Sequence, residues 1–485
     1  MRAKIRPGKS SLLFLFVAAF YIAILGHAGN VHASIETADQ SVQTLVLRNV
    51  TVVDVRTGKL IERQTIIVTG NKISYIGSFD PASVPYDAQV RDGSGQYVIP
   101  GLWDMHVHLN KYYEHAFPMF LANGVTGVRE MGTAMDNIDV WKDAIQKGMP
   151  APRLVTTGPM LTKGPAPHMF NLNTEQEARE AVRLLAKKGV DFVKIHTQTP
   201  RHLLPAIFDE AKKHRLPVVG HVPMQVRPIE GVRLGQKSME HLFGLFSATS
   251  SMEDEIMQNP KLSNPMFYFP TEVAAAKQYD PVRAEKLFRE FIHNEVWQVP
   301  TLVTPNNSIK TELDPRAKYV PKTFQEQWIR EIRSVSDTII SKTNAELAVR
   351  AEELVGKMNA AGVPLLAGTD SSFGEANSFY GFSLHDELEL FVKSGLTPLQ
   401  ALQTATLNPA HYLDRQHELG TVEEGKLADL VLLEANPLED IRNTTRITSV
   451  ILNGKLMDKQ ELWKAVKTYE VVNPSDVKDD PSSSQ

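Results

Sequence analysis

The central part of the chain, from about Ile99 to Asp414, alternates short apolar segments with segments of helical periodicity. This alternation is typical of a parallel sheet whose strands are joined by helices. We count eight predicted strands, which end near His106, Met131, Thr157, His196, His221, His241, Leu302 and Asp370. Eight parallel strands with intervening helices predict an α/β fold of the TIM (β/α)8 barrel type.

The unit around residue 190 has the clearest pattern. Thr174 and Glu177 have the spacing of a capping box, and Gly189 is a typical helix stop. A strand over residues 190–196 follows, and its period of two places Phe192, Lys194 and His196 on one face. A longer stretch, from Phe243 to Trp297, predicts additional helices over the barrel mouth.

The N-terminus has the pattern of a secretory signal peptide. Four basic residues within the first nine positions precede an apolar run from Leu12 to Leu25, and the small residues of 31–33 form a cleavage site. The run has 14 residues, fewer than the roughly 20 that a spanning helix needs. The sequence predicts a secreted or periplasmic protein without a stable membrane span after cleavage; an uncleaved anchor is the alternative.

Strand-like segments flank the barrel on both sides and suggest a small discontinuous β-sandwich domain whose two segments meet. The predicted organisation is a signal peptide (1–33), a first β-sandwich segment (42–98), the barrel (99–414), a second β-sandwich segment (415–470) and a disordered tail (471–485).

Composition excludes several classes of function. The chain has 485 residues, with 52 Lys and Arg against 56 Asp and Glu, a formal net charge of −4. A nucleic-acid-binding protein needs a basic surface, so this class is disfavoured. The chain has no Cys, and any metal must therefore be bound by His, Asp, Glu or a modified side chain.

Histidines at the predicted strand ends are candidate metal ligands. His106 and His108 are separated by one residue on an extended segment, so both imidazoles point the same way and can reach one ion. His221 and His241 close two consecutive predicted strands. A lone His is more often a structural residue, and it is their shared position at strand ends that separates these from the other histidines.

Asp370 and Lys194 also lie at strand ends. A carboxylate after the apolar strand 363–369 is costly unless it is paired or binds a metal, although Asp370 could instead be a helix N-cap. Burial of Lys194 would lower its pKa and give a neutral amine, which can take up carbon dioxide to form a carbamate. A structural Lys paired with Asp191 or another carboxylate explains the sequence equally well.

Five motifs together resemble the amidohydrolase superfamily, in particular its imidazolonepropionase-like and Xaa-Pro (Xaa-Arg) dipeptidase-like branch. They occur in the family's order, at residues 100–108, 193–196, 220–223, 240–241 and 368–370. The segment 419–431 resembles the family's return into the β domain. The resemblance covers roughly Leu45 to Met457.

The resemblance implies an enzyme, a metal-dependent hydrolase with two divalent metal ions, usually zinc, although Mn, Co or Ni suit the same ligands. By this resemblance His106, His108 and Asp370 bind one ion, His221 and His241 bind the other, and carboxylated Lys194 and a hydroxide bridge them. The hydroxide attacks the carbonyl of a small-molecule amide, and Asp370 is the catalytic residue that transfers the proton to the leaving amine.

The resemblance gives less information about the substrate. A dipeptide or an N-acyl amino acid is expected, and His168, His196 and Tyr380 are candidate substrate-binding residues. A mononuclear deaminase is disfavoured, because no Glu follows His221 at the spacing typical of that branch. A lactone or ester hydrolase with the same site, and a non-catalytic metal-binding barrel protein, are the alternatives. The oligomeric state, a homo-oligomer included, is left open.

Overall fold

The computed structural model describes residues 43–109, 111–259, 261, 264–335 and 339–478. The predicted signal peptide lies outside these residues, as does the end of the predicted tail. Among the helices of the described residues, none is both long enough and apolar enough to cross a membrane.

The described residues form 17 strands and 16 α-helices. The strands are β1 (Thr44–Val53), β2 (Leu60–Thr69), β3 (Lys72–Gly77), β4 (Gln89–Asp92), β5 (Tyr97–Pro100), β6 (Leu102–Val107), β7 (Val125–Glu130), β8 (Arg153–Thr156), β9 (Met160–Thr162), β10 (Met169–Asn171), β11 (Val193–Ile195), β12 (Val218–Gly220), β13 (Gln236–Glu240), β14 (Trp297–Val299), β15 (Leu430–Leu433), β16 (Ile447–Leu452) and β17 (Lys455–Asp458). The helices are α1 (Tyr113–Ala122), α2 (Met135–Gln146), α3 (Glu175–Lys188), α4 (Leu204–Lys213), α5 (Pro228–Leu234), α6 (Leu245–Ala248), α7 (Glu253–Gln258), α8 (Pro265–Ala276), α9 (Pro281–His293), α10 (Val303–Ser308), α11 (Lys322–Val335), α12 (Ile339–Ala361), α13 (Phe382–Lys393), α14 (Pro398–Thr404), α15 (Leu407–Tyr412) and α16 (Lys459–Ala465).

Strands from the two ends of the described chain form one eight-stranded sheet. Its order is β17-β16-β15-β5-β1-β2-β3, and β4 pairs with β1. The junction is β5, which runs parallel to β1 and antiparallel to β15. A buried apolar cluster that includes Leu47, Val52, Leu430 and Ile451 packs the two halves together. The strands predicted on both sides of the central part are therefore confirmed, and they lie in the same sheet.

The central strands are parallel and form two sheets, β6-β7-β8 and β10-β9-β11-β12-β13-β14. The segment 364–371 lies between them. The N–H of Gln298, in β14, donates to Pro364 O at 2.9 Å, and the N–H of Met105, in β6, donates to Ala367 O at 2.8 Å. At the other side of the sheets, the Asp191 N–H donates to Thr156 O at 2.9 Å. The predicted α/β class is confirmed, with the eighth predicted strand replaced by isolated bridges at Leu365 and Ser371.

Local sequence signals account for the helices around these strands. The Glu177 N–H donates to Thr174 Oγ1 at 3.2 Å at the start of α3, and Gly189 ends this helix in the left-handed conformation with φ 74°. The additional helices predicted between Phe243 and Trp297 are α6 to α9. The short strands β9 and β10 were not predicted from the pattern; they extend the larger sheet beyond β11.

Candidate active site

A cavity of about 650 Å³ opens where the central parallel strands end. Its lining includes six of the predicted site residues: His108, Lys194, His196, His221, His241 and Asp370. Each of these lies within or directly after a parallel strand or the segment 364–371, and the carboxyl ends of parallel strands meet at one edge. The fold therefore brings together side chains that are up to 262 positions apart in the sequence.

Asp370 is the point where three imidazoles converge. Its Oδ1 lies 3.1 Å from His108 Nε2 and 3.3 Å from His106 Nε2, and its Oδ2 lies 3.9 Å from His241 Nδ1. Ligand atoms of His106, His241 and Asp370 all lie within 4.8 Å of one another. Burial raises the pKa of Asp370, but His241, His108 and Lys194 together outweigh burial and hold this pKa well below its usual range. The carboxylate is thus ionised and able to bind a cation.

Lys194 lies beside this cluster and is only 1% exposed. Its Nζ is 3.3 Å from His106 Nε2. Burial lowers the pKa of Lys194 to about 8, although Asp370, Glu240 and Glu130 oppose the effect of burial. The neutral amine, which is the state that reacts with carbon dioxide, therefore makes up a minor fraction of about a tenth at pH 7.

His221 and His241 form the second half of the site. Their ring centroids are 4.7 Å apart. Thr197 Oγ1 lies 2.6 Å from His221 Nδ1, and Thr301 Oγ1 lies 2.8 Å from His241 Nδ1. Burial lowers the pKa of both imidazoles, to about 4 for His241. Both rings are neutral at physiological pH, which is the state in which imidazole binds a metal.

Backbone strain is concentrated at the same strand ends. His241, Thr301 and Asp370 have φ values of 63°, 50° and 55°. For non-glycine residues this left-handed conformation costs about 1–3 kcal/mol each and persists only where the surroundings impose it. Hydrogen bonds impose it here, because the Asp370 N–H donates to His106 O at 2.7 Å and the His241 N–H donates to Val299 O at 2.9 Å.

Asp104 supports the site although sequence reasoning assigned it no role. Its buried carboxylate accepts hydrogen bonds from the Thr369 hydroxyl at 2.7 Å and from the backbone N–H groups of Thr369 and His106. Burial raises the pKa of Asp104 to about 7. The side chain ties β6 to the residue that precedes Asp370. Its place two residues before His106, within the same motif, is the signal that could have identified it.

Arg129 and Glu240 are two further functional candidates; Glu240 belongs to the motif 240–241, but the sequence assigned neither residue a role. Glu240 Oε2 lies 3.0 Å from His106 Nδ1, and Arg129 Nη2 lies 3.0 Å from both Glu240 oxygens. Both side chains are fully buried. The available signal was weak: each is a charged residue at the carboxyl end of an otherwise mostly uncharged strand.

Three residues were predicted to contact substrate, and the structure places them differently. His196 lines the cavity; its ring lies 4.4 Å from that of His221, and burial lowers its pKa to about 3. Tyr380 is buried behind the site, where its hydroxyl donates to His108 O at 2.9 Å. His168 is half-buried and is not among the residues that line the cavity. Of the three, His196 alone lines the cavity.

The cavity wall has an aromatic side and an acidic side. Phe243 lies 5.0 Å, centroid to centroid, from both His221 and His241, and Phe269 lies 5.4 Å from Phe243. Glu331 and Glu375 are the acidic residues of the wall away from Asp370. Among the described lining residues, Lys194 is the single Lys or Arg. Burial raises the pKa of both glutamates, to about 8 for Glu375, so Glu375 is mostly protonated at neutral pH.

The chain belongs to the amidohydrolase family, which matches residues 97–457. This confirms the resemblance inferred from the five motifs. Shorter segments are similar to curated proteins. These are an adenine deaminase of Clostridium botulinum (41% identity over 68 residues), an imidazolonepropionase of a Geobacillus species (38% over 71) and an ochratoxinase of Aspergillus niger (38% over 101). The matches cover 14%, 14% and 20% of this chain and 10%, 17% and 20% of those proteins.

Solved structures match over a much larger part of the chain. A Bifidobacterium longum protein described as a prolidase superposes with a TM-score of 0.63 at 25% identity, covering 86% of this chain and 95% of that one. A Xaa-Pro dipeptidase with methionine bound in its active site gives 0.63 at 22% identity, covering 86% and 100%. At this level of identity the second match establishes similarity of fold.

Proposed function

We propose that this protein is a metal-dependent hydrolase that cleaves an amide bond in a small molecule of the dipeptide or N-acyl amino acid type. The observation that carries the proposal is the position of Asp370, within 3.1–3.9 Å of three imidazoles at the base of a large cavity. Membership of the amidohydrolase family and the dipeptidase-like and ochratoxinase relatives support it.

We also propose that the central strands form a (β/α)8 barrel. The hydrogen bonds of Met105 and Gln298 to the segment 364–371, and of Asp191 to Thr156, link the two parallel sheets on both sides. A closed barrel accounts for all of these hydrogen bonds, and it places the cavity at the face where the active sites of such barrels lie.

The side chains present suit two divalent metal ions, and we propose that these ions are zinc. His106, His108 and Asp370 would bind one ion, His221 and His241 the other, and Lys194 as a carbamate would contribute to both. The fit is supported by donor chemistry, since neutral imidazoles and carboxylate oxygens are ligands that zinc accepts without Cys. When bound, such ions polarise a carbonyl group and activate water at neutral pH.

The protein's own side chains have the remaining catalytic and positioning roles in this proposal. Asp370 is ionised, so its carboxylate can accept the proton of the attacking water and pass it to the leaving amine. Thr197 and Thr301 orient the rings of His221 and His241 through their Nδ1 atoms. Asp104 holds Thr369, and through it the backbone that presents Asp370.

The walls of the cavity restrict the substrate. Phe243 and Phe269 offer an apolar surface for a side chain next to the scissile amide. Glu331 and Glu375 can ionise beside a basic group of the substrate, whereas an acidic group finds no Lys or Arg other than Lys194 among the described lining residues. Substrates with apolar or basic side chains should therefore exceed their acidic analogues in kcat/KM by at least about tenfold, equivalent to 1.4 kcal/mol. The double variant Glu331→Gln, Glu375→Gln should reduce this preference.

One experiment separates the candidate functions. The metal content of the purified protein is measured, and paired amides and esters with the same acyl group are offered together with lactones. We expect about two metal ions per chain and amide hydrolysis that is lost on chelation and returns with zinc. Hydrolysis of esters or lactones alone would favour the lactonase alternative, and a chain without metal or hydrolysis would favour a non-catalytic binding protein.

A further inference from the structure

A group of buried polar side chains lies at the Nδ1 edge of His106, whereas Lys194 and Asp370 lie at its Nε2 edge. Glu240 Oε2 is 3.0 Å from Nδ1. Arg129 Nη2 donates to both oxygens of Glu240 at 3.0 Å, and the Ser238 hydroxyl donates to Oε1 at 2.6 Å. Arg129, Ser238 and Glu240 have no exposed surface. The carboxylate of Glu240 is therefore surrounded by donors.

The guanidinium of Arg129 is itself held on several sides. Its Nε donates to Met105 O at 2.6 Å, and Nη1 donates to the Tyr412 hydroxyl at 2.7 Å and to Ser238 Oγ at 3.0 Å. The ring of Tyr412 lies 5.0 Å from the guanidinium carbon and stacks on Phe192. These contacts leave Arg129 and Glu240 little rotational freedom.

The donor pattern determines where the proton of His106 lies. A guanidinium can donate but not accept, and Ser238 donates to Oε1, so Glu240 accepts from both of these partners. Burial raises the pKa of Glu240, whereas the Arg129 guanidinium and the Ser238 hydroxyl favour its carboxylate form. A carboxylate has no hydrogen to donate, so the His106 nitrogen that faces Oε2 carries the hydrogen. In a neutral imidazole this leaves Nε2 with a free lone pair, directed toward Lys194 and Asp370.

We propose that Glu240, held by Arg129 and Ser238, is a positioning residue that fixes the Nδ1–H tautomer of His106 and so keeps Nε2 available to a metal ion. This inference rests on the proposed metal-dependent function. It assigns a role to a charged pair whose members are 111 positions apart in the chain. Carboxylates that orient metal-binding histidines affect metal affinity by about 10–100-fold.

Glu240→Gln is the direct test. Glutamine has one acceptor oxygen where Glu240 uses two, so Arg129 and His106 compete for it. If the oxygen faces Arg129, the amide NH2 faces His106 Nδ1 and favours the tautomer that blocks Nε2. We expect zinc affinity, measured by competition with a chromophoric chelator, to fall about 10–100-fold, while circular dichroism stays that of the native fold.

Glu387→Gln is the matched control. Glu387 is equally buried and accepts two backbone N–H groups, from Leu302 and Val303, but it contacts no predicted metal ligand. This variant should lose stability and keep the zinc affinity of the native chain. Unchanged affinity in folded Glu240→Gln would overturn the proposal, provided that the native chain binds zinc. A native chain that binds no zinc would instead overturn the proposed function.

A second measurement requires no variant and so does not depend on folding of Glu240→Gln. Nitrogen-15 spectra of the metal-free native chain with labelled His, assigned by comparison with His106→Gln, report which ring nitrogen carries the hydrogen. Protonated Nδ1 and unprotonated Nε2 are expected for His106. The opposite tautomer would exclude the role assigned to Glu240.

Discussion

Asp370 combines a strained backbone with three imidazole neighbours at one position. A helix cap, the alternative that the sequence leaves open, would require its carboxylate to accept backbone N–H groups of a following helix. The contacts of this carboxylate are instead with His106, His108 and His241. Its environment fits the two proposed roles of metal ligand and proton carrier, and replacement by an isosteric amide separates these roles.

Asp370→Asn should keep the fold and much of the bound metal, because the amide oxygen can still be a ligand. Turnover should fall about 10²–10⁴-fold, the usual contribution of general acid–base catalysis. Metal analysis and steady-state kinetics of the same preparation test both statements. Asp386→Asn is the control, since Asp386 pairs with Arg316 and does not line the cavity. Native turnover in Asp370→Asn would contradict the role of Asp370.

Lys194 is the residue for which a structural role and a chemical role predict the most different effects of substitution. The ion pair with Asp191 that the sequence left open is absent among the described residues, where Asp191 accepts from the backbone N–H of Thr156. Lys194 instead faces the predicted metal ligands at 3.3 Å from His106. Carboxylation itself stays a prediction that needs its own test.

Lys194→Ala should lose at least one metal ion and nearly all hydrolysis, because the positive charges of two ions would no longer be compensated by a bridging anion. Acetate or propionate added with metal should restore a measurable part of the rate. Lys194→Arg should also fail, since a guanidinium stays protonated and cannot be carboxylated. Metal analysis and kinetics provide both readouts.

Lys426→Arg is the matched control for these variants. Lys426 is also buried, at 5% exposure, but its ammonium binds Leu419 O and Thr421 in the part of the chain near the N- and C-terminal sheet. We expect native metal content and rate for this variant. Native metal content and rate in Lys194→Arg would contradict the two-metal carbamate assignment and would favour a mononuclear site.

At the scale of helices and strands, most of the architecture was readable from periodicity. Seven of the eight predicted central strands are present, because apolar runs between capped helices leave few alternatives. The eighth is irregular for a local reason: the N–H groups of Thr369 and Asp370 both donate to His106 O, at 3.2 and 2.7 Å. This and the left-handed Asp370 interrupt the ladder, and neither can be read from an apolar pattern.

Contacts between polar or charged side chains that are far apart in the sequence could not be predicted from the sequence. Motif spacing located the side chains at strand ends, but nothing in one sequence indicates that Arg129 reaches Glu240 or that Asp104 reaches Thr369. Those pairings depend on how neighbouring strands are aligned. The supporting residues of the site were missed for that reason, whereas the predicted ligands do lie together at the strand ends.

Helix α10 provides a prediction at the same scale. Its first N–H groups, of Leu302 and Val303, donate to Glu387 of α13 at 2.9 and 2.8 Å. Burial raises the pKa of Glu387 to about 8. The folded state therefore binds a proton that the unfolded chain releases near pH 4.5, so this contribution to stability is complete below that pH and is lost as pH rises toward 8.

The contribution of Glu387 to the free energy of unfolding should thus decrease with pH between about 5 and 8, by about 1.4 kcal/mol per pH unit. Glu387→Gln should remove that part of the slope. Urea unfolding of both chains at several pH values measures the difference, in which other buried carboxyl groups cancel. Equal slopes in the two chains would show that Glu387 does not titrate in this range.

At the scale of the whole molecule, the sheet that contains β1 also contains β17, so both ends of the described chain are needed for one core. Arg153, in β8, pairs with Asp429, just before β15, and so links this sheet to the central strands. A truncation that removes β1 should expose Val98, Leu430 and their apolar neighbours. Processing of the N-terminus must therefore stop before Thr44 if the protein is to fold.

The proposed export of the protein meets that requirement. The basic first residues, the short apolar run and the small residues of 31–33 predict cleavage after Ala33, which lies ahead of β1 and leaves every described strand intact. The exported protein should begin at Ser34 when its N-terminus is sequenced. Substituting Ala33 by a bulky residue should block cleavage without altering the fold, because no described residue changes. Recovery of chains that begin at Met1, and in membranes alone, would contradict cleavage and favour an uncleaved anchor.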